Sequence, residues 1–229
     1  MENKFKIKNF IMVAVVYLCY EVGSYYYQGY LAEQELLNEP FFQVIKKHRP
    51  SEYQELLSIA EDVKRGNSSS ELLENQLGFI MTKPLSEFPY YASNEDIYKY
   101  YKTLINISNK LEPEPCYKFF YTGVEKKSKY LNEELKIEFM DTMRTLIESF
   151  YTSKQRSAII SKEKFGEGAK NYIVEILKEN PTLDLTVLGK ENLNYEDKKH
   201  MCFFSKSVMS AFLDDKQIEL LRYNLANSR

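Results

Sequence analysis

Apolar positions recur along most of this chain at intervals of three and four, the period of an amphipathic helix. The cleanest stretch holds Ile97, Tyr100, Leu104, Ile107 and Leu111 at spacings of 3, 4, 3 and 4. Ser93, three residues ahead of Asp96, opens it as a capping pair. Residues 128–152 carry the longest pattern, with Leu131, Leu135, Phe139, Met143, Leu146 and Phe150 on one face. Ile137, Met140 and Ile147 widen that face, and so broad a stripe predicts a central helix contacted from two sides.

Proline and glycine mark the ends of the other elements. Pro40 and Pro50 stand where helices can begin, because the first turn has no use for the missing N–H. The segment from Ser51 to Arg65 carries Leu56, Leu57, Ile59, Ala60 and Val63, and Gly66 closes it. Asn67-Ser-Ser-Ser70 then links to a helix from Glu71 to Lys83 that Pro84 is expected to end, ahead of an aromatic turn at Phe88-Pro89-Tyr90-Tyr91.

Pro113-Glu-Pro115 breaks the chain, and Cys116 begins a short aromatic helix through Tyr121 that Gly123 stops. The polar run from Thr152 to Lys164 weakens the pattern, although a helix could continue through Ala158, Ile159 and Ile160; Phe165 to Leu177 resumes it. Leu183 to Leu188 alternates like a strand, but one strand has no partner here, so a helical turn or loop is expected. Asn194 can cap a helix reaching about Leu213, and Asp214 or Asp215 can cap a last one carrying Ile218, Leu221 and Leu225. The expected fold is all-α, an irregular bundle of roughly eight helices forming a single domain over residues 31–229.

The first thirty residues differ in kind. Lys4, Lys6 and Lys8 precede the uncharged run from Phe10 to Tyr20, which includes Val15 and Leu18, and the next charge is Glu21. A basic flank before an apolar segment is the pattern that export machinery reads. Residues 1–30 are therefore expected to form a signal peptide or a single-pass membrane anchor. Retention is preferred: a span from about Ile7 to Tyr27 is long enough to cross the hydrocarbon, and Tyr25, Tyr26, Tyr27 and Tyr30 would form an interfacial belt. The alternatives are cleavage after Val22-Gly23-Ser24, or a buried N-terminal helix of a cytosolic protein. Tyr17-Leu18 ahead of Cys19 excludes a lipoprotein site, where small residues are needed.

Composition narrows the functional classes. The net charge is −2, and −3 without residues 1–24, which hold three lysines against two glutamates. A mildly acidic body gains little from counterion release, so a nucleic-acid role is not expected; the short basic clusters at residues 46–49, 126–127 and 198–200 read as solvated helix faces. Nineteen tyrosines and no tryptophan suit half-buried helix rims, and suit binding surfaces equally.

Without the leader two cysteines remain, Cys116 and Cys202. Outside the cytoplasm they are expected to pair, closing a loop of some eighty-five residues worth at most about 4 kcal/mol. The alternative is two free buried thiols. Catalytic patterns are scarce. Glu196 and His200 share a helix face, yet a metal needs further ligands and none stands at a matching spacing. There is no Gly-x-Ser-x-Gly turn, and Gly166-Glu-Gly168 lacks the strand, third glycine and lysine of a phosphate loop. Asn67 and Asn106 head glycosylation sequons, which matter only in a eukaryotic source.

The pattern thus points away from an enzyme, with no cofactor expected, and toward an exported, membrane-anchored helical binding protein of the bacterial cell envelope. Its partner is expected to be a protein, met through Phe88, Tyr90, Tyr91, Tyr98, Tyr101, Phe119 and Tyr121. The other readings are a periplasmic immunity or inhibitor protein that neutralises a toxin or hydrolase, and a carboxylate-dependent enzyme.

Overall fold

In the computed structural model the described residues are 29–121, 127, 130–183, 186–187, 190 and 192–227. Every strand-free, regular element among them is helical. The leader, with Lys4, Lys6, Lys8, Phe10, Val15, Leu18 and Tyr20, lies outside them. Among the described residues no helix is long and apolar enough to cross a membrane.

The helices are α1 (29–38), α2 (Pro40–His48), α3 (Pro50–Lys64), α4 (Ser70–Tyr91), α5 (Asn94–Asn109), α6 (Pro113–Tyr121), α7 (Glu133–Thr152), α8 (Lys162–Glu179), α9 (Tyr195–Asp214) and α10 (Ile218–Asn227). They form two compact units, Met1–Thr82 and Lys83–Arg229, and the division falls inside α4.

In the first unit α2 packs on α3, and Leu36, Phe42, Ile45, Tyr53 and Leu56 are buried. Both helices start on the expected prolines, and α3 ends at Gly66, whose φ of 75° is the left-handed conformation that glycine adopts without steric cost. Surface ion pairs fasten the side chains: Lys46 to Glu33 at 3.0 Å, Arg65 to Glu61 at 3.1 Å, and Lys64 to Glu35.

The first departure from the sequence expectation is α4, which runs through Pro84 and Pro89 instead of ending at Lys83, so that residues 88–91 are helix rather than turn. Pro84 has no N–H to give the carbonyl four residues back, that of Ile80. Arg49 Nη1 donates to that oxygen at 3.2 Å, so the acceptor is satisfied by a side chain from another helix.

The second unit is organised by α5 and α9. Helix α5 packs against α7, α9 and α10, and α9 against α5, α6, α8 and α10. The stripe Ile97, Tyr100, Leu104 and Ile107 is wholly buried, and Ser93 caps α5 by accepting from the Asp96 N–H at 3.0 Å. Helix α7 buries its face Leu135, Phe139, Met143 and Leu146 on α5; of the residues expected to widen that face, Ile147 is wholly buried, whereas Ile137 is 67% exposed.

The chain from Ser153 to Ser161 has no regular structure; it is held by the Ser157 N–H, which donates to the Tyr90 carbonyl at 2.7 Å. Residues 186–187 form a short helical turn, as expected of that stretch. Asn194 caps α9 in a reciprocal capping box with Asp197. The last helix starts later than expected, because Asp215 ends α9 and Lys216, at φ 54°, turns the chain before Ile218.

Candidate functional site

Cys116 and Cys202 form a disulfide with Cα atoms 5.7 Å apart. It joins the first turn of α6 to the middle of α9, and both residues are buried. An ion pair runs alongside: Lys198 on α9 reaches Glu114 on α6 at 3.1 Å, and Lys118 reaches the same carboxylate at 3.0 Å. Together they hold the Glu114 carboxyl below the usual carboxylate range.

The aromatic residues expected to meet a partner do not share one surface. Phe88, Tyr101 and Phe119 are at most 1% exposed and belong to the core, so the expectation is corrected for these three. Tyr101 shows why a tyrosine can sit there: its hydroxyl lies 3.0 Å from the Leu221 carbonyl and 2.7 Å from Asn224 Oδ1, so its polar tip needs no water. Burial pushes the Tyr100 and Tyr101 phenols upward in pKa. Tyr90 is half-buried under the Arg156 guanidinium, 4.3 Å from its ring, and Tyr91 meets Phe150 edge-on at 5.5 Å. Tyr98 is half-buried, while Tyr121 is 42% exposed and its hydroxyl accepts from Ser205 at 2.9 Å.

Hydropathy had no means to reveal a cleft of about 430 Å³ within the second unit. Its floor is Tyr100, Tyr101 and Leu104 of α5 with Leu221 of α10. Phe165 lies against Tyr223 at 4.4 Å and edge-on to Phe212 at 6.4 Å, making one wall from three helices. Val208 and Met209 of α9 form another part of the lining, and Phe120, Tyr121 and Lys127 complete it from the α6 side. Five non-consecutive segments build this space, which is why a local pattern does not announce it.

Helix α10, which contributes Leu221, Tyr223 and Asn224 to that lining, also carries a buried cation. Arg222 on α10 is 5% exposed, and burial lowers its pKa. Its guanidinium donates to the carbonyls of Pro89 at 2.6 Å and Ala92 at 2.9 Å, and to Asn94 Oδ1 at 2.9 Å. These acceptors gather where α4 ends, so the negative end of the helix dipole offsets the buried charge.

Among the described residues no group of three or more His, Cys, Asp or Glu could hold a metal ion. Glu196 pairs with Lys199 at 3.2 Å, and His200 lines a shallow hollow with Lys199, Lys206 and Phe203. Comparison with family models, with curated proteins and with solved structures finds no match for the chain.

Proposed function

We propose that this chain is an exported helical binding protein, held at the outer side of a bacterial cytoplasmic membrane by its apolar leader, whose disulfide-tied body docks a protein partner. The observation that carries the reading is the Cys116–Cys202 bridge, because such bonds persist in oxidising compartments and are rare where glutathione and thioredoxin keep thiols reduced. The basic and apolar order of residues 4–20 supports the same address. Of the aromatic residues named above, the exposed Tyr121 and the half-buried Tyr90, Tyr91 and Tyr98 remain open to a partner, Tyr90 with Arg156 over its ring, and tyrosine and arginine are common interface anchors.

Fractionation of the full chain carrying a C-terminal tag tests this. The protein should sediment with the cytoplasmic membrane, and protease added to spheroplasts should degrade the tag. A tag that stays protected inside intact spheroplasts would overturn the reading.

A further inference from the structure

At about 430 Å³ the cleft of the second unit is in the range that holds small organic ligands, wherever the protein resides. Tyrosine and phenylalanine are its commonest described lining residues, and they come from different helices: Tyr100 from α5, Phe120 from α6, Phe165 from α8, Phe212 from α9 and Tyr223 from α10. Phe165 and Tyr223 stack within 20° of parallel, and Phe212 meets Phe165 at 84°, so the wall offers ring faces and ring edges together. Aromatic rings attract one another in both arrangements, beyond the area they bury. A flat ring system gains most from such a wall.

The polar groups select further, because some are engaged and two are not. The Tyr101 hydroxyl bonds Asn224 and the Leu221 carbonyl, and Ser205 bonds Tyr121. Lys127, the one charged residue of the described lining, is buried and donates to the carbonyls of Phe119 and Phe120. An anion entering the cleft would lose its water without meeting an unengaged cation. Tyr100 and Tyr223 differ: neither hydroxyl has a hydrogen-bond partner among the described residues. Tyr100 is 1% exposed, yet its hydroxyl is not among the unpartnered polar atoms sealed from water, so the opening it has is the cleft it lines. Burial keeps the proton on that oxygen. A buried O–H without an acceptor is costly, and a carbonyl is an acceptor that brings no charge with it.

We infer that the cleft binds an uncharged, flat aromatic ketone, packed among Phe165, Phe212 and Tyr223 with its carbonyl accepting from the Tyr100 hydroxyl. Purified full chain titrated with prodan, a neutral fluorescent naphthyl ketone, should bind one molecule saturably and move its emission to the blue. Acetylnaphthalene should displace the prodan, and isopropylnaphthalene, the same shape without the carbonyl, should do so about fivefold less well. Naphthoate, with the same rings and a negative charge, should fail to displace it at the same concentrations. Tyr100→Phe removes a hydroxyl that no described residue bonds, so the fold should hold; acetylnaphthalene should fall to the level of isopropylnaphthalene, which itself stays unchanged. Val208→Trp, which fills the cleft, should abolish binding of all three neutral compounds.

Absence of saturable prodan binding would overturn the inference, as would undiminished binding by a folded V208W variant. Equal displacement by ketone and hydrocarbon, or a ketone affinity that Tyr100→Phe leaves intact, would overturn the role of Tyr100. Displacement by naphthoate as strong as that by acetylnaphthalene would overturn the need for a neutral ligand. Should V208W fail to fold, benzophenone, itself an aromatic ketone, decides when irradiated with the unaltered protein: adducts on peptides from α5, α8, α9 or α10 support the site, and adducts confined to other elements refute it.

Discussion

The two units of this protein differ in how deeply their polar contacts lie. The first relies on ion pairs that are exposed, such as Lys46–Glu33, or part-buried, such as Arg49–Glu52 and Arg65–Glu61, and on one part-buried donor, Arg49, that reaches the Ile80 carbonyl. The second puts its decisive polar contacts inside: Arg222 against two backbone carbonyls, Tyr101 against Asn224, and the Thr103 and Thr142 hydroxyls 3.3 Å apart across α5 and α7. It adds a covalent bridge. The difference teaches where specificity resides. Surface pairs can be exchanged at little cost, but an interior donor that serves several acceptors fixes which helices meet and at what register.

The predictions sharpen that contrast. Replacing both bridge residues, Cys116→Ser with Cys202→Ser, should cost the most: the loop spans 86 positions, and its release should lower stability by about 4 kcal/mol in denaturant melts. Arg222→Met should follow at about 3 kcal/mol, because it strands the Pro89 and Ala92 carbonyls inside the second unit, and the loss should be insensitive to salt. Tyr101→Phe removes one buried hydroxyl and should cost about 1 kcal/mol by the same measurement.

In the first unit Glu33→Gln should change amide exchange in α2 by only a few tenths of a kcal/mol, since both partners of the pair are over a third exposed. Salt at about 1 M should erase even that difference. Cost comparable to Arg222→Met would break the contrast.

The smallest effect is one of pH. Glu114 titrates lower in the folded chain than its ordinary value of 4.5, so the stability it lends is fully present above that pH and is lost as pH falls through the folded value. Acid unfolding of the Glu114→Gln variant should lack this component, and the component should fade in high salt because the carboxylate faces water.

What could be read from the amino acids was local and periodic. The α5 stripe, the Ser93 and Asn194 caps, the glycine end of α3 and the pairing of Cys116 with Cys202 all follow from spacing and residue chemistry. The failures have physical reasons. Pro84 reads as a stop because its N–H is missing, and only the fold reveals that Arg49 supplies a donor to Ile80. Phe88, Tyr101 and Phe119 read as surface anchors because aromatic rings suit a core and an interface alike, yet all three are buried, and Asn224, 123 positions away from Tyr101, receives its hydroxyl inside. Gly168 fits no phosphate-loop motif in the sequence, which leaves its role unexplained there; in the structure a Cβ at that position would lie 2.9 Å from Leu220 Cδ2, marking the close approach of α8 to α10. The cleft needed five separate segments brought together, and no window of sequence contains them.

The exported address stands or falls with the chemical state of two sulfurs in the living cell. Cells quenched with acid, then alkylated before any reduction, should yield a peptide joining Cys116 to Cys202, with neither residue carrying the alkyl label. Alkylation of both residues in that experiment would contradict the bridge and, with it, the exported address.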